Sequence, residues 1–153
     1  MPPKFILDKI NKHININKNN ISIVETTNSI NIQPYSNDLN IDCIINLEIV
    51  NNIRRINKFH EAVNENLANG NIYVSCGETI FERNKRIRLK TKFGFVNILL
   101  FLDFIYKRFI PKLAGLKQVY FTITKGHNRV ISKAEILGRL ISCGFEVLEY
   151  FEY

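Results

Sequence analysis

The apolar positions along the chain predict a sheet whose strands are connected by helices. Residues 21–24 form a short apolar run, and residues 41–47 form a nearly continuous one, which is typical of a strand covered on both faces of a parallel sheet. Residues 52–67 carry apolar side chains three and four positions apart and predict a helix, and residues 72–76 predict the next strand. This order favours two parallel strands joined by a right-handed crossover.

The second half of the chain contains the clearest helix signal. Ser132 and Glu135 have the spacing of a capping box, in which each side chain bonds the free backbone N–H of the other, and they predict a helix over 132–143. Residues 118–124 and 145–151 are rich in β-branched and aromatic residues, so we predict a strand on each side of this helix. The predicted buried face of the helix consists of Ile136, Leu137, Leu140 and Ile141.

Together these elements predict an α/β fold with a partial, Rossmann-like and mostly parallel sheet between flanking helices. Residues 1–20 are expected to form a polar N-terminal lead-in, and residues 21–153 a single domain with a further short strand over 30–33. The predicted buried stripe of the helix over 52–67 consists of Ile53, Ile56, His60, Val63 and Leu67.

Composition adds a preference for anionic partners. The net charge is +7 and the sequence pI about 9.4, which favours a phosphorylated ligand, an anionic membrane surface or nucleic acid. Nucleic acid is the least favoured of these, because the chain contains no recognised nucleic-acid motif. The 3 cysteines are widely spaced and form no Cys/His cluster, so they predict free thiols, no metal site and a reducing, cytoplasmic environment.

A strongly basic run over 82–92 precedes the most apolar stretch, residues 93–110. This order is typical of an element at the inner face of a membrane, where cations meet anionic headgroups and aromatic side chains enter the acyl boundary. A buried helix or a subunit interface, including that of a homo-oligomer, is an equally good interpretation. A membrane span is not expected, because the stretch is shorter than roughly 20 residues and contains Asp103. The residues predicted for a membrane or partner surface are Arg54, Arg55, Arg83, Lys85, Arg86, Arg88, Lys90, Phe101, Phe104, Lys107 and Arg108.

Two polar loops are candidates for a ligand or phosphate site. Glu78 and Thr79 follow one predicted strand, and His127, Asn128 and Arg129 follow another, at the strand ends where ligands bind in α/β sheets. The alternative for both loops is an ordinary polar turn that caps the following helix. No combination of Ser, His, Asp and Cys predicts a catalytic centre, and no cofactor is predicted.

One resemblance depends on two phrases, Leu67-Ala68-Asn69-Gly70 before the strand at residue 72, and Ser132-Lys133-Ala134-Glu135 leading to Gly144-Phe145. They resemble the C-terminal half of class I S-adenosylmethionine methyltransferases, which implies a methyltransferase-like sheet. The Gly-rich turn that holds the cofactor in that family is missing, because no Gly-x-Gly occurs and the first glycine is Gly70.

A second resemblance covers about residues 20–153 and depends on four phrases, Asn52-Ile53-Arg54-Arg55, Cys76-Gly77-Glu78-Thr79, Phe101-Leu102-Asp103-Phe104 and Gly126-His127-Asn128-Arg129. In order and spacing they resemble the N-terminal region of Bacteroidetes-type sugar transferases, which move a sugar 1-phosphate onto a polyprenyl phosphate. The phrases of the transferase domain itself are absent, so no catalytic residue is carried over. The family pattern continues with another strand, which implies that this domain is truncated at its C-terminus.

The second resemblance implies a non-catalytic accessory or N-terminal domain of a sugar transferase acting in bacterial exopolysaccharide, capsule or O-antigen biosynthesis. Its partner would be the transferase catalytic domain, either on the same polypeptide or on a separate one. Together the two would form a glycosyl-1-phosphate transferase. Two alternatives stay open. One is a methyltransferase-like protein that binds S-adenosylmethionine or a nucleotide, and the other is a basic nucleic-acid-binding module.

Overall fold

Three parallel strands form one open sheet in the computed structural model, which describes residues 4–13, 20–32, 41–91 and 94–152. The strands stand side by side in their order along the chain, and they are β1 (Ile21–Val24), β2 (Cys43–Ile49) and β3 (Ile72–Cys76). β2 lies in the middle, where Ile45 is in register with Ile23 of β1 and Val74 of β3. The predicted α/β class, with a parallel sheet and flanking helices, is therefore confirmed.

Helices connect and flank these strands. The α-helices among the described residues are α1 (Lys4–Asn11), α2 (Ile56–Glu65), α3 (Ile80–Lys90), α4 (Val96–Phe104), α5 (Leu116–Thr124) and α6 (Lys133–Ser142). α4 continues into a π-helical turn, Ile105–Phe109, and then a 3-10 turn, Ile110–Lys112. Pro111 lies in that last turn, and because it has no backbone N–H it ends the helical run there.

Apolar side chains cover β2 on both faces, as its continuous apolar sequence predicts. On one face Ile44 joins the larger apolar cluster, which includes Phe59 of α2. On the other face Ile45 packs with Ile6 and Ile10 of α1 in a second cluster. Each fully buried aliphatic side chain of this kind stabilises the fold by about 1.5–3 kcal/mol relative to exposure, so β2 holds the two layers of helices together.

The helix predicted over 52–67 is confirmed as α2, but it begins only at Ile56 because a 3-10 turn, Val50–Asn52, comes first. The predicted stripe is buried except for Leu67, which is half-buried. Phe59 is also fully buried, although the predicted stripe omits it. The buried face of α2 is therefore wider than the spacing of its aliphatic residues indicates.

The capping signal of the last helix is also confirmed, in modified form. The Ser132 hydroxyl accepts a hydrogen bond from the Glu135 backbone N–H at 3.2 Å, and α6 begins at the next residue. The Glu135 carboxylate binds the Arg139 guanidinium at 2.9 Å. This ion pair takes the place of the bond from the Ser132 backbone N–H to the Glu135 side chain that a complete capping box would contain. Gly144 ends the helix at a φ of +88°, where a side chain would be strained. The predicted buried face is wrong in part, because Ile141 is 61% exposed.

Three predicted strands are wrong. Residues 118–124 form most of α5, in which Thr122 and Thr124 each donate a side-chain hydrogen bond to the carbonyl four residues earlier. These bonds satisfy the hydroxyls within the helix, so the β-branched composition does not force an extended backbone. Residues 145–151 pair with no described strand, and residues 30–33 begin inside a 3-10 turn, Ser29–Asn31, while residue 33 lies outside the described ranges.

The C-terminal segment packs against the N-terminal helix instead of extending the sheet. The ring of Phe151 meets that of Phe5 edge-on, with 5.6 Å between centroids. The Lys9 ammonium pairs with the Glu149 carboxylate, which also lies 3.4 Å from Nε2 of His13. These contacts join the first and last parts of the described chain. They hold residues 145–151 against α1, so this segment packs on the fold without pairing with a strand.

Candidate functional site

The two loops predicted to carry a ligand site lie side by side at the carboxyl end of the sheet. Thr79 forms an isolated parallel bridge with Ile131, and the Ile80 N–H donates to the Ile131 carbonyl at 3.0 Å. The loop of residues 77–79 follows β3, and the loop of residues 125–130 lies between α5 and α6. The structure therefore brings Glu78 and Thr79 close to residues 127–129, in a place where open α/β sheets bind ligands.

Asn51 holds these loops together. Its side chain is buried, and its Nδ2 donates to the Glu78 carbonyl at 2.8 Å and to the Arg129 carbonyl at 2.7 Å. Its Oδ1 accepts from the Glu78 N–H at 2.7 Å, and its own carbonyl accepts from the Arg129 N–H at 3.0 Å. One amide side chain thus satisfies three backbone groups from two separate loops. We call this set of bonds the Asn51 junction.

Gly77 fits the same junction because it has no side chain. A Cβ at this position would lie 2.9 Å from Cγ2 of Val50 and 3.1 Å from Cδ1 of Ile136. The first separation is shorter than real carbon contacts allow, so the loop could not approach α6 and the Val50 turn as closely with a larger residue. Thr79 then caps α3, because its hydroxyl accepts from the Glu82 N–H at 3.3 Å.

Arg83 is the second group that ties the region together. It is only 6% exposed, and its Nε and Nη2 donate to the two carboxylate oxygens of Asp103 at 2.7 Å each. Its Nη1 donates to Oδ1 of Asn128 and lies 3.6 Å from the Glu78 carboxylate. The bond to Asp103, more than any other contact, raises the pKa of Arg83 above its usual value. Its prediction as a surface cation is therefore wrong, because Arg83 connects α3, α4 and the 125–130 loop.

The remaining polar residues of the two loops also form hydrogen bonds or ion pairs within the fold. Glu78 forms a two-bond ion pair with Arg86, at 2.7 and 2.9 Å, so Arg86 is not a free surface cation either. Arg129 points toward backbone carbonyls at the start of α2, at 3.4 to 3.5 Å, and burial lowers its pKa. The Asn128 N–H donates to the Asn52 side chain at 2.8 Å, and the His127 side chain is exposed. Apart from His127, the predicted ligand residues therefore already have hydrogen-bond or ion-pair partners elsewhere in the described fold.

Two buried side chains of the described residues that could otherwise react, Cys43 and His60, are held in their neutral forms. Burial raises the pKa of the Cys43 thiol to about 12, so the thiol stays protonated at neutral pH and does not act as a nucleophile. His60 is buried among aromatic rings, and burial lowers its pKa to about 4, which keeps it neutral. Among the residues that the structure describes, no cluster of His, Cys, Asp and Glu is arranged to hold a metal ion.

Many apolar side chains of α4 and α5 are exposed to solvent. No side chain of α4 is buried, although nearly all of its residues are apolar, so the interpretation of this segment as a buried helix of this chain is wrong. Phe101 of α4 is 62% exposed, and Ile123 of α5 is 68% exposed. We call the exposed apolar side chains of residues 95–123 the α4–α5 apolar surface, which includes Phe95, Ile98, Leu99, Phe101, Leu102, Phe104, Phe109, Leu116, Val119 and Ile123.

One contact joins the two helices of this surface, and another attaches α4 to the rest of the fold. The buried ring of Tyr120 in α5 meets the ring of Tyr106 edge-on at 5.5 Å, which attaches α5 to the π-helical turn after α4. The Arg83–Asp103 pair attaches α4 to α3. Within the described residues, no helix has both the length and the apolar character needed to cross a membrane.

The cations predicted for a surface fall into three groups. Lys85, Arg88 and Lys90 are exposed along α3, and Lys85 pairs with Glu82 at 3.9 Å. Lys107 and Arg108 are half-buried beside the junction, and burial, with Arg83 nearby, lowers the pKa of Lys107. Arg54 and Arg55 are exposed just before α2, and the Arg54 guanidinium lies over the ring of Phe121 in α5 at 5.8 Å.

Asn51 and Tyr120 are the residues that sequence reasoning missed, because a single Asn or Tyr inside an apolar run has no periodic signal. No protein-family model, curated protein or solved structure matches this chain. The functional conclusion therefore depends on the paired loops, the α4–α5 apolar surface and the resemblances in the sequence.

Proposed function

We propose that this chain is a non-catalytic accessory domain of a bacterial sugar transferase system in exopolysaccharide, capsule or O-antigen assembly, and that it acts by docking. The observation that carries this proposal is the α4–α5 apolar surface, whose named side chains are each at least 43% exposed. The sugar transferase resemblance supplies the biological setting, and it involves both this segment and the two loops of the junction.

The pairing of the loop residues supports docking over catalysis. A ligand site presents polar groups whose hydrogen-bonding capacity is free for the ligand. Here Glu78, Asn128 and Arg129 direct their bonds to Arg86, Arg83, Asn51 and nearby backbone, so a ligand would first have to break existing bonds. Burying the freed groups without new partners costs about 1–3 kcal/mol each. The loops therefore act best as a rigid support for the surface next to them.

The exposed apolar surface gives the second line of support. Monomeric soluble proteins seldom expose large contiguous apolar patches, and such patches mark sites of interaction. A helix that is apolar on nearly all sides is normally buried, yet α4, in which only Asn97 and Asp103 are polar, has no buried residue. The Arg83–Asp103 pair and the Tyr106–Tyr120 contact hold this segment in place, so it is presented as a fixed feature of the fold.

A genetic complementation experiment tests the proposal. Deleting the gene in its host should lower surface polysaccharide, and the wild-type gene should restore it. The double variant Leu99→Gln, Leu102→Gln, which keeps good helix formers on α4, should fail to restore it. Ile141→Gln is the matched control, because Ile141 is 61% exposed on α6 and lies outside the surface. Circular dichroism of the purified variants checks that each one folds.

Three results would remove the proposal. Unchanged polysaccharide after deletion would exclude the role in its assembly. Heat of binding with S-adenosylmethionine or a nucleotide sugar in calorimetry would show that the loops rearrange to hold a ligand, and would move the protein to the methyltransferase-like alternative. A steeply salt-dependent affinity for RNA or DNA would favour the nucleic-acid alternative in its place.

A further inference from the structure

The positive charge of this protein is concentrated in one part of the chain. Residues 80–124 contain 10 Lys and Arg residues and 2 Asp and Glu residues, a net charge of +8, while the rest of the chain has a net charge of −1. The whole excess of +7 therefore comes from the segment that carries the α4–α5 apolar surface.

Several of these cations are left free by the fold. Arg83 and Arg86 are neutralised by Asp103 and Glu78. Arg88 and Lys90 at the end of α3, and Lys112 and Lys117 near the start of α5, are exposed and have no acidic partner among the described residues. The exposed charge thus lies immediately before, between and within the exposed apolar helices.

We propose, building on the docking role above, that α4, α5 and the end of α3 dock reversibly on an anionic lipid membrane. The exposed aromatic and aliphatic side chains of α4 and α5 enter the boundary between headgroups and acyl chains. The free cations at their ends meet the lipid phosphates. The segment lies on the membrane, and the fixed attachment of α4 through Arg83 holds the rest of the domain above it.

Charge decides between the membrane and the other occupants of an apolar surface. A second copy of this chain would bring another segment of net charge +8 against the first, and like charges in an interface oppose association. A nucleic acid would satisfy the cations but would leave the aliphatic side chains of Ile98, Leu99 and Leu102 against a polar backbone. An anionic surface with an apolar layer directly beneath it matches both properties.

Vesicle co-sedimentation of the full chain tests the inference. We expect binding to phosphatidylglycerol vesicles at low salt, much weaker binding at high salt, and little binding to phosphatidylcholine vesicles. Arg88→Gln with Lys90→Gln removes two free cations and should weaken binding about 30-fold, at about 1 kcal/mol for each charge near the surface. Leu99→Gln with Leu102→Gln should abolish the remaining affinity.

Matched controls keep the result specific. Lys58→Gln removes an exposed cation of α2, and Ile141→Gln removes an exposed apolar side chain of α6, so both should bind as the wild type does. Absence of sedimentation with anionic vesicles at low salt overturns the inference. Equal binding to neutral vesicles also overturns it, because the cations would then play no part. A dimer in light scattering that Leu99→Gln with Leu102→Gln converts to a monomer would assign the surface to a second copy.

The inference and the proposed function can fail separately. Normal complementation behaviour without vesicle binding would leave the accessory role intact and remove the membrane as the partner. If the protein binds vesicles in a salt-sensitive way but deletion of its gene leaves polysaccharide unchanged, membrane docking would stand and the accessory role would be removed.

Discussion

Replacing Asn51 by Ala should destabilise the protein strongly, because this one side chain joins the two loops. The substitution removes the two bonds from Nδ2 to the Glu78 and Arg129 carbonyls and the bond from the Glu78 N–H to Oδ1. Each buried backbone group left without a partner costs about 1–3 kcal/mol. Because Glu78 and Arg129 are only half-buried, water can reach some of these groups, so we expect the low end, about 3 kcal/mol in total.

Urea unfolding followed by circular dichroism measures this loss. With a slope of about 2 kcal/mol per molar urea, the midpoint should fall by roughly 1.5 M while the slope itself stays the same. Asn69→Ala is the matched control, because Asn69 is exposed and should change stability by no more than about 0.5 kcal/mol.

Asn51→Asp refines the test. It keeps an acceptor for the Glu78 N–H but places a carboxylate oxygen against two carbonyls in a buried position, so it should be at least as destabilising as Asn51→Ala. A loss below about 1 kcal/mol in both variants would refute the reasoning, since the loops would then be held by Arg83 and the Thr79–Ile131 bridge alone.

Three further changes test the packing described above, each by urea unfolding. Asp103→Asn leaves the buried Arg83 guanidinium without its carboxylate and should cost about 2–3 kcal/mol, below the full value for a buried pair because Asp103 is half-buried. His60→Phe should flatten the acid response, since the pKa of His60 is about 4 when folded and the unfolded chain binds the proton first. The wild type should therefore lose up to about 3 kcal/mol as the pH falls from about 6.5 to 4. Gly77→Ala should cost about 1–3 kcal/mol through its contact with Val50, whereas Gly138→Ala meets open space in α6 and should stabilise by about 0.5–1 kcal/mol.

Each of these predictions has a result that would contradict it. Wild-type stability in Asp103→Asn would mean that water or Asn128 already compensates Arg83. An acid response that is unchanged in His60→Phe would show that His60 does not supply the proton uptake between about pH 6.5 and 4. Equal effects of the two glycine changes would show that the loop at residue 77 can move away from Val50.

The elements that could be predicted from the sequence are those whose stability is local. β2 is marked by a continuous apolar run, and α6 by a capping pair that works within its first turn. The strand predicted over 118–124 failed because aromatic and β-branched residues fit any half-buried surface, and which one they meet is decided by the rest of the fold. Tyr120 meets Tyr106 and not a neighbouring strand, and no pattern within residues 118–124 contains that information.

Part of the candidate site could likewise be predicted from the sequence, and part could not. The closeness of the loops around Glu78 and Asn128 follows from the placement of polar residues after predicted strands, although the second of these strands is a helix in the structure. The hydrogen bonds and ion pairs that join the loops could not be predicted, because they depend on partners that are distant in the sequence. Asp103 lies 20 residues after Arg83, and Arg129 lies 78 residues after Asn51.

The contact between Phe5 and Phe151 has a consequence for how this fold can be connected to other polypeptides. Because the first and last described elements lie against each other, a short linker between them would close only a small gap and cost little loop entropy. Circular permutation should therefore be tolerated, with new ends opened at the exposed turn at residues 69–70. By the same geometry, the domain could be inserted into a surface loop of a host protein, with both junctions leaving from one side and without stretching the host.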